Sequence, residues 1–255
     1  MDSLPFQEEK LMHRFYTDPD RTAVDTAFLA SEDAKHALTV LRLKTGQTIE
    51  VFSGCRRFTA KIISTDNHEI LVRLLSPLPS TEAALSVTLY QSIPKSDKMD
   101  WIVQKATELG VKRIVPVNMS RCVVRINSGD SEKKLERWRR IAREAGKQSG
   151  RCSIPVITEP CAPDLLSSLP EPPEINIVPW EDAVSFGPLS FHQAYPSIAS
   201  MGILIGPEGG IEPAEIHALR TYGFIPITLG KRILRTETAG LAAVSAFMSL
   251  YGEME

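Results

Sequence analysis

Cysteine is scarce in this 255-residue chain: four residues, Cys55, Cys122, Cys152 and Cys161, with no CxxC pair. That spacing excludes a disulfide-dense framework and a cysteine-based zinc site, and favours free thiols in a reducing cytosol. Long apolar runs are missing too. The best stretch, Gly240 to Tyr251, falls short of the roughly 18–20 residues that a membrane-spanning helix needs, so no membrane association is expected. The five histidines stand apart, with neither HExxH nor HxH, and no metal is expected. Met1 to Lys10 carries Asp2, Glu8 and Glu9 and has no apolar core, which argues against a secretory signal and for a cytoplasmic location. What is present is ordinary for a globular protein. At 43% hydrophobic and 24% charged residues, a mostly disordered or fibrous chain is ruled out. The length suits one large domain, or one ordinary domain plus a small one.

Net charge is only −2, but it is unevenly spread. Residues 1–78 hold 10 Lys and Arg against 11 Asp and Glu; residues 91–151 hold 15 against 7; residues 152–255 hold 4 against 12. The middle segment is strongly basic and can attract a polyanion where the average charge would not. A solvated, salt-bridged helical face is the alternative reading.

Hydrophobic periodicity divides the chain into two textures. Ile49 and Val51, Phe58 to Ile63 and Ile70 to Leu74 read as three short strands, separated by turn signals at Ser53-Gly54 and Asp66-Asn67. With a preceding helix capped at Ser31, they predict a small β-barrel domain over residues 1–78. Ser76-Pro-Leu-Pro-Ser-Thr81 reads as its linker. From residue 82 to 255 the pattern becomes βαβ. Strands are expected at Leu85 to Gln91, Lys112 to Val117, Ile154 to Ile157, Ile175 to Val178, Gly202 to Gly206 and Ile225 to Leu229. Helices are expected at Lys98 to Leu109 with its stop at Gly110, Ser131 to Lys147, Pro213 to Gly223, and Thr236 to Tyr251. Such alternation predicts a largely parallel α/β sheet.

Several chemistries are excluded by missing motifs. No GxxxxGK[ST], GxGxxG or GxSxG string occurs. What remains is Leu204-Ile-Gly-Pro-Glu-Gly-Gly-Ile211 directly after an apolar strand. Gly206, Gly209 and Gly210 let the backbone approach a flat, polar-edged ligand closely, unless the loop is a plain strand-to-helix turn. A second Gly-bearing loop, Leu229-Gly-Lys-Arg-Ile-Leu-Arg-Thr-Glu-Thr238, places three cations before a helix start. Glu237 there suits the helix dipole in any case.

These two loops resemble those of the RsmE-type ribosomal RNA uracil-N3 methyltransferases of the SPOUT superfamily. Lys98-Met, Gln104-Lys-x-Thr-Glu-Leu-Gly-Val111, Arg121 and Trp138-x-x-Ile-Ala-x-Glu-Ala-x-x-Gln-Ser-x-Arg151 add to the likeness. His36 and Val40-Leu-Arg42 are similar to the family's PUA-like barrel. The resemblance implies a C-terminal α/β domain closed by a trefoil knot, an exception to the near-absence of knots. It also implies S-adenosylmethionine bound by the Gly-bearing loops, a homodimer, and methylation of N3 of one uridine in 16S ribosomal RNA of the small ribosomal subunit. By this reading Leu204, Gly206, Gly209, Gly210, Leu229, Gly230, Ile233 and Leu234 bind the cofactor.

N3 of uracil carries a proton and is a poor nucleophile until that proton leaves. Arg235 is the expected cation beside the base, and Glu237 or Glu208 the proton-handling or orienting group. Arg42, Lys95, Lys98, Lys105, Arg121, Arg125 and Arg151 form the expected phosphate-contact set. A methyltransferase acting on a transfer RNA base or a ribose 2′-hydroxyl, or a non-catalytic RNA-binding assembly factor, would share much of this pattern.

Overall fold

A computed structural model describes residues 12–66, 68–126 and 128–254. The N-terminal segment Met1 to Lys10 and the turn residue Asn67 lie outside the described residues. The described residues through Thr81, together with Lys147–Cys152, form one compact unit; Glu82–Gly146 and the residues from Ser153 onward form a second.

The first unit is a closed five-stranded barrel, ordered β1-β2-β5-β4-β3. Its strands are β1 (Arg14–Thr22), β2 (Thr26–Leu29), β3 (Thr48–Ser53), β4 (Arg56–Ser64) and β5 (Leu71–Leu78), with helix α1 (Ser31–Thr39) between β2 and β3. β1 and β3 close it in parallel, and the remaining pairs are antiparallel. Closure removes the exposed edges of an open sheet. Phe15, Leu29, Ile49, Val51, Ile62, Ile70 and Val72 fill the interior.

The three strands expected here are β3, β4 and β5; β1 and β2 are additional. Neither carries a clean apolar alternation: β1 is buried only at Phe15, Tyr16 and Thr17, and β2 has four residues. The expected linker starts late, because Ser76-Pro77-Leu78 continues β5, with Pro77 opposite Phe58 beside a register shift at Thr59/Ala60. Proline is tolerated in a sheet at such irregularities. Ser31 begins α1 rather than capping it; Ala30 holds the cap position. Gly54 and Cys55 form the two-residue β3–β4 turn, both with positive φ (56° and 59°), the geometry that matches strand twist.

Among the described residues, the barrel unit has two buried carboxylates. Glu50 accepts hydrogen bonds from Arg14 Nε at 3.2 Å and Arg57 Nε at 2.8 Å. Asp33 accepts the Tyr16 amide at 2.7 Å and pairs with Lys147 Nζ at 2.5 Å.

The second unit is a six-stranded, wholly parallel sheet with helices on both faces, which confirms the α/β class. Its elements are β6 (Ser86–Ser92), α2 (Lys98–Glu108), β7 (Arg113–Val117), α3 (Ser128–Ser149), β8 (Val156–Ile157), β9 (Ile175–Pro179), α4 (Pro188–Ala194), β10 (Ser200–Ile205), α5 (Pro213–Thr221), β11 (Phe224–Ile227) and α6 (Thr236–Leu250). The strand order is β11-β9-β10-β6-β7-β8. Only α4 and a 3₁₀ turn at Pro163–Ser168 lack a counterpart in the sequence reading; both are short.

β6 and β10 are buried along almost their whole length, as strands covered on both faces must be. α2 turns Met99, Ile102, Val103 and Ala106 inward and ends before Gly110, whose φ of +91° makes it the helix stop. A Cβ at Gly202 would lie 2.0 Å from Asn176 Oδ1 and 2.5 Å from Tyr90 Cε2, so only glycine lets these neighbours pack across β10. Burial pushes the Tyr90 hydroxyl up to about 12. No described helix is long and apolar enough to cross a membrane.

Candidate active site

In open parallel sheets, ligands bind outside the carboxyl ends of the strands. Here the segments following β6, β9, β10 and β11 converge at that edge around a cavity of about 670 Å³. Cofactor sites typically fall between about 300 and 1,000 Å³. Lys98 reaches the cavity after β6, Trp180 and Glu181 after β9, Gly206 to Ile211 after β10, and Thr228 to Thr236 after β11.

The glycines of the first loop fit the need for bare backbone. A Cβ on Gly206 would come within 2.5 Å of Ile211 Cγ1, inside the loop's own fold. Gly210 has φ +76°, and a Cβ there would meet Glu181 Oε1 at 3.2 Å. The loop is braced from outside: Arg121 Nη1 donates to Gly209 O at 3.0 Å, while its Nε donates to Glu212 Oε1 at 3.3 Å. Pro213 opens α5, where Glu215 accepts the amides of Glu212 and Ser120.

Lys98 sits between two carboxylates at one side of the cavity. Its Nζ donates to Glu208 Oε1 at 3.3 Å and Glu237 Oε2 at 3.1 Å, and the Lys95 amide donates to the same Glu208 oxygen at 3.1 Å. Hydrogen bonding to Glu237, then to Glu208, holds the lysine above its ordinary pKa. Partial burial pushes the Glu208 carboxyl up. Hydrogen bonds from the Lys95 amide, from its own amide and from Lys98 outweigh that and leave it below the usual value. Glu237 behaves alike: burial is overcome by its own amide, by Lys98 and by the positive charge of Arg235. Both carboxylates are therefore ionised at neutral pH, and as bases they are weakened.

Of the residues singled out in the sequence, Gly206, Glu208, Gly210, Leu229, Gly230, Ile233, Leu234, Arg235 and Lys98 line the cavity. Glu237 joins them through Lys98. Leu204 does not line it; its side chain is fully buried in the core of β10. Gly209 faces Arg121 instead, where a Cβ would lie 3.1 Å from Arg121 Cβ. The expected phosphate contacts scatter. Arg42, Lys95 and Arg125 are exposed, and Lys105 pairs with Glu108 at 2.8 Å. Arg151 is only 2% exposed within the barrel unit, so its burial removes it from that set. Lys98 pairs with Glu208 and Glu237 at the cavity, and Arg121, itself exposed, braces the cavity's first loop.

Sequence reasoning missed Trp180, Glu181, Thr228, Thr236 and the buried Gln91 behind them. The one available signal was a polar pair, Gln91-Ser92, closing a strand that is otherwise buried from Val87 onward. Among the described residues no cluster of His, Cys, Asp and Glu could hold a metal ion, and the four cysteines are free thiols.

A Gly-bared loop and a cation-rich loop meet at the carboxyl edge of the parallel sheet, and the match to known families makes the chain an RNA methyltransferase. Residues 81–248 match the RNA methyltransferase domain, and residues 29–75 the RNA methyltransferase PUA domain. The Bacillus subtilis ribosomal RNA small subunit methyltransferase E is 32% identical over 92% of this chain and 95% of its own length. The crystal structure of ribosomal RNA small subunit methyltransferase E from Neisseria gonorrhoeae, bound to S-adenosyl methionine, is 35% identical. It covers 96% of this chain and 100% of its own, with a TM-score of 0.81. A Legionella pneumophila protein solved with the bound cofactor SAM is 31% identical over 93% of this chain and 97% of its own, with a TM-score of 0.79. The chain belongs to the ribosomal RNA small subunit methyltransferase E family.

Proposed function

We propose that this chain methylates N3 of one uridine in 16S ribosomal RNA, using S-adenosylmethionine. The observation that carries the reading is the cavity itself, walled by two Gly-bearing loops and edged by Lys98, Glu208, Glu237 and Arg235. S-adenosylmethionine supplies a methyl group made electrophilic by its positively charged sulfur. The residues present suit that group: peptide edges bared at Gly206, Gly210 and Gly230 take its polar rims, and ionised carboxylates favour its positive charge. Leu229, Ile233 and Leu234 supply apolar contacts, and the threaded tail of the family would close this wall around the group.

With that donor bound, N3 would take the methyl carbon once its proton has left, as the carbon–sulfur bond breaks and its bonding pair goes to sulfur. Arg235 favours the imide anion that is left when N3–H loses its proton. Glu208 and Glu237, held ionised by Lys98, orient the N3–H and accept its hydrogen bond. Water or the bulk solvent takes the proton finally, since both carboxylates are weakened bases. Holding N3 in line with the methyl carbon converts an encounter of two molecules into a near-attack geometry. N3 lies on the pairing edge, so the uridine enters unpaired or extruded.

Residues 1–78 act in this reading as an RNA-binding PUA-like domain and residues 82–255 as the methyltransferase domain. Arg42, Lys95, Lys105 and Arg125 contact phosphates, and binding weakens as salt rises. The enzyme works as a homodimer in the cytoplasm, where its ribosomal substrate is made. The strongly exposed Val184 and Ile233 at the cavity suit a second copy of the chain. The test is incubation with labelled S-adenosylmethionine and small-subunit particles from cells lacking the activity. Label on N3 of a single 16S uridine is expected; label on transfer RNA, on a ribose or nowhere overturns the reading.

A further inference from the structure

Behind the cavity wall lies a buried hydrogen-bond chain that ties three elements together. Gln91, at the end of β6, is fully buried, and its Nε2 donates to Thr236 Oγ1 at 2.9 Å and to Ser92 O at 3.0 Å. Thr236, the first residue of α6 and 4% exposed, donates its hydroxyl proton to Gly206 O at 2.7 Å. The direction is forced. Thr236 has one proton and spends it on a carbonyl, so it accepts from Gln91, and Ser92 O can only accept. The amide nitrogen of Gln91 must therefore face both. Its oxygen is turned toward Gly240, where a Cβ would lie 3.2 Å away.

We infer that Gln91 and Thr236 are positioning residues: their buried hydrogen-bond chain locks the Gly206 loop to the start of α6 and so sets the two walls of the cofactor cavity in register. Gly206 opens one loop, and Arg235 and Glu237 flank Thr236 on the other. Ile205, which precedes Gly206, pairs in register with Gln91 across the sheet, so the rigid strands carry the alignment outward. A single hydroxyl thus couples the bare backbone that receives the cofactor to the charged groups that meet the base. A packing role alone would be met by valine, which has the shape of threonine without its hydroxyl.

This inference rests on the proposed methyl transfer for its kinetic readout, but its structural readout does not. Thr236→Val, Thr236→Ser and Gln91→Met are compared with the unaltered full chain by hydrogen exchange without cofactor, by S-adenosylmethionine titration and by label transfer. Thr236→Val is expected to speed amide exchange in both loops, residues 206–211 and 229–235, together. It is also expected to weaken cofactor binding by about tenfold, the effect of one lost buried hydrogen bond, and to lower kcat as well as raise KM. Thr236→Ser keeps the hydroxyl and should stay within about threefold of the unaltered protein on every readout. Gln91→Met should follow Thr236→Val, and replaces it if that variant does not fold. Unchanged exchange in both loops for the valine and methionine variants, or equal damage from Thr236→Ser and Thr236→Val, overturns the inference. Failure of the unaltered protein to transfer label counts against the methylation reading alone, because the exchange comparison still decides the positioning role.

Discussion

The two units use the same ingredients, carboxylates among cations, to opposite ends. In the barrel unit, Glu50 and Asp33 are 4% and 0% exposed and each is paired with Arg, Lys or backbone donors. In the α/β unit, Glu208 and Glu237 have side chains 24% and 18% exposed, share one lysine, and sit at a cavity large enough for a cofactor. A buried, ion-paired carboxylate is out of reach of a ligand, and removing its partner leaves an uncompensated charge. A partly exposed one keeps oxygen lone pairs open to a ligand. Burial, rather than residue type, separates the architectural acids from those at the cavity.

Substitutions sharpen this contrast, and the largest effect is expected in the barrel. Asp33→Ala strips the partner from the Tyr16 amide and from Lys147, and should cost roughly 3 kcal/mol or more in a denaturant titration. The folded fraction should still bind S-adenosylmethionine normally; weakened binding would break the division of labour. Arg235→Ala is expected to do the reverse. It should lower methyl transfer about a hundredfold while leaving stability and cofactor binding near normal, as measured by single-turnover kinetics beside calorimetry. Near-normal transfer by that variant would remove Arg235 from the mechanism.

Gly206→Ala should weaken cofactor binding about tenfold, because its Cβ would collide with the buried Ile211 and push the loop inward. An unchanged affinity would show that Ile211 yields.

Lys98→Met tests the shared cation through pH. Carboxyls lowered in the folded protein contribute stability above their ordinary pKa of 4.5, and lose it as pH falls through the folded value. A lysine raised in the folded protein contributes below its ordinary 10.5 and loses that as pH rises through the folded value. The cluster therefore favours the native state across the neutral range between those limits. Without Lys98 both glutamates should titrate at higher pH, moving the acid limb of kcat/KM upward. An unmoved limb would separate Glu208 and Glu237 from the pH dependence. The smallest effect belongs to the β3–β4 turn. Cys55→Gly should relieve the positive φ of a side-chain-bearing residue and raise barrel stability by about 1 kcal/mol or less, visible only as a shift of the denaturation midpoint.

Much of this protein could be read along the chain. Helices α2, α3, α5 and α6 and most parallel strands follow from apolar spacing, because a buried face repeats at the period of its own element. The two Gly-bearing loops stood out for a similar local reason: a backbone that must be bare, or must adopt a positive φ as at Gly210 and Gly230, selects glycine whatever lies around it. β1 and β2 escaped because their burial depends on partners distant in sequence rather than on alternation within them. Charge was the least legible property. Lys98, Arg121 and Arg151 looked equivalent in a basic segment, yet the first serves the cavity, the second braces its loop and the third is buried. Their fates were decided by which carboxylate or carbonyl the fold delivered to them, and that depended on strand order. The Gln91–Thr236–Gly206 chain is the same case: residues 145 and 30 positions apart meet only because β6 and β10 are neighbours and α6 starts beside both. Sequence by itself determined most of the elements, the bared loops and the family pattern, carried by local periodicity and glycine geometry. Only the tertiary structure decided which polar groups met, since hydrogen bonds and ion pairs are short-ranged and their partners are assembled by topology.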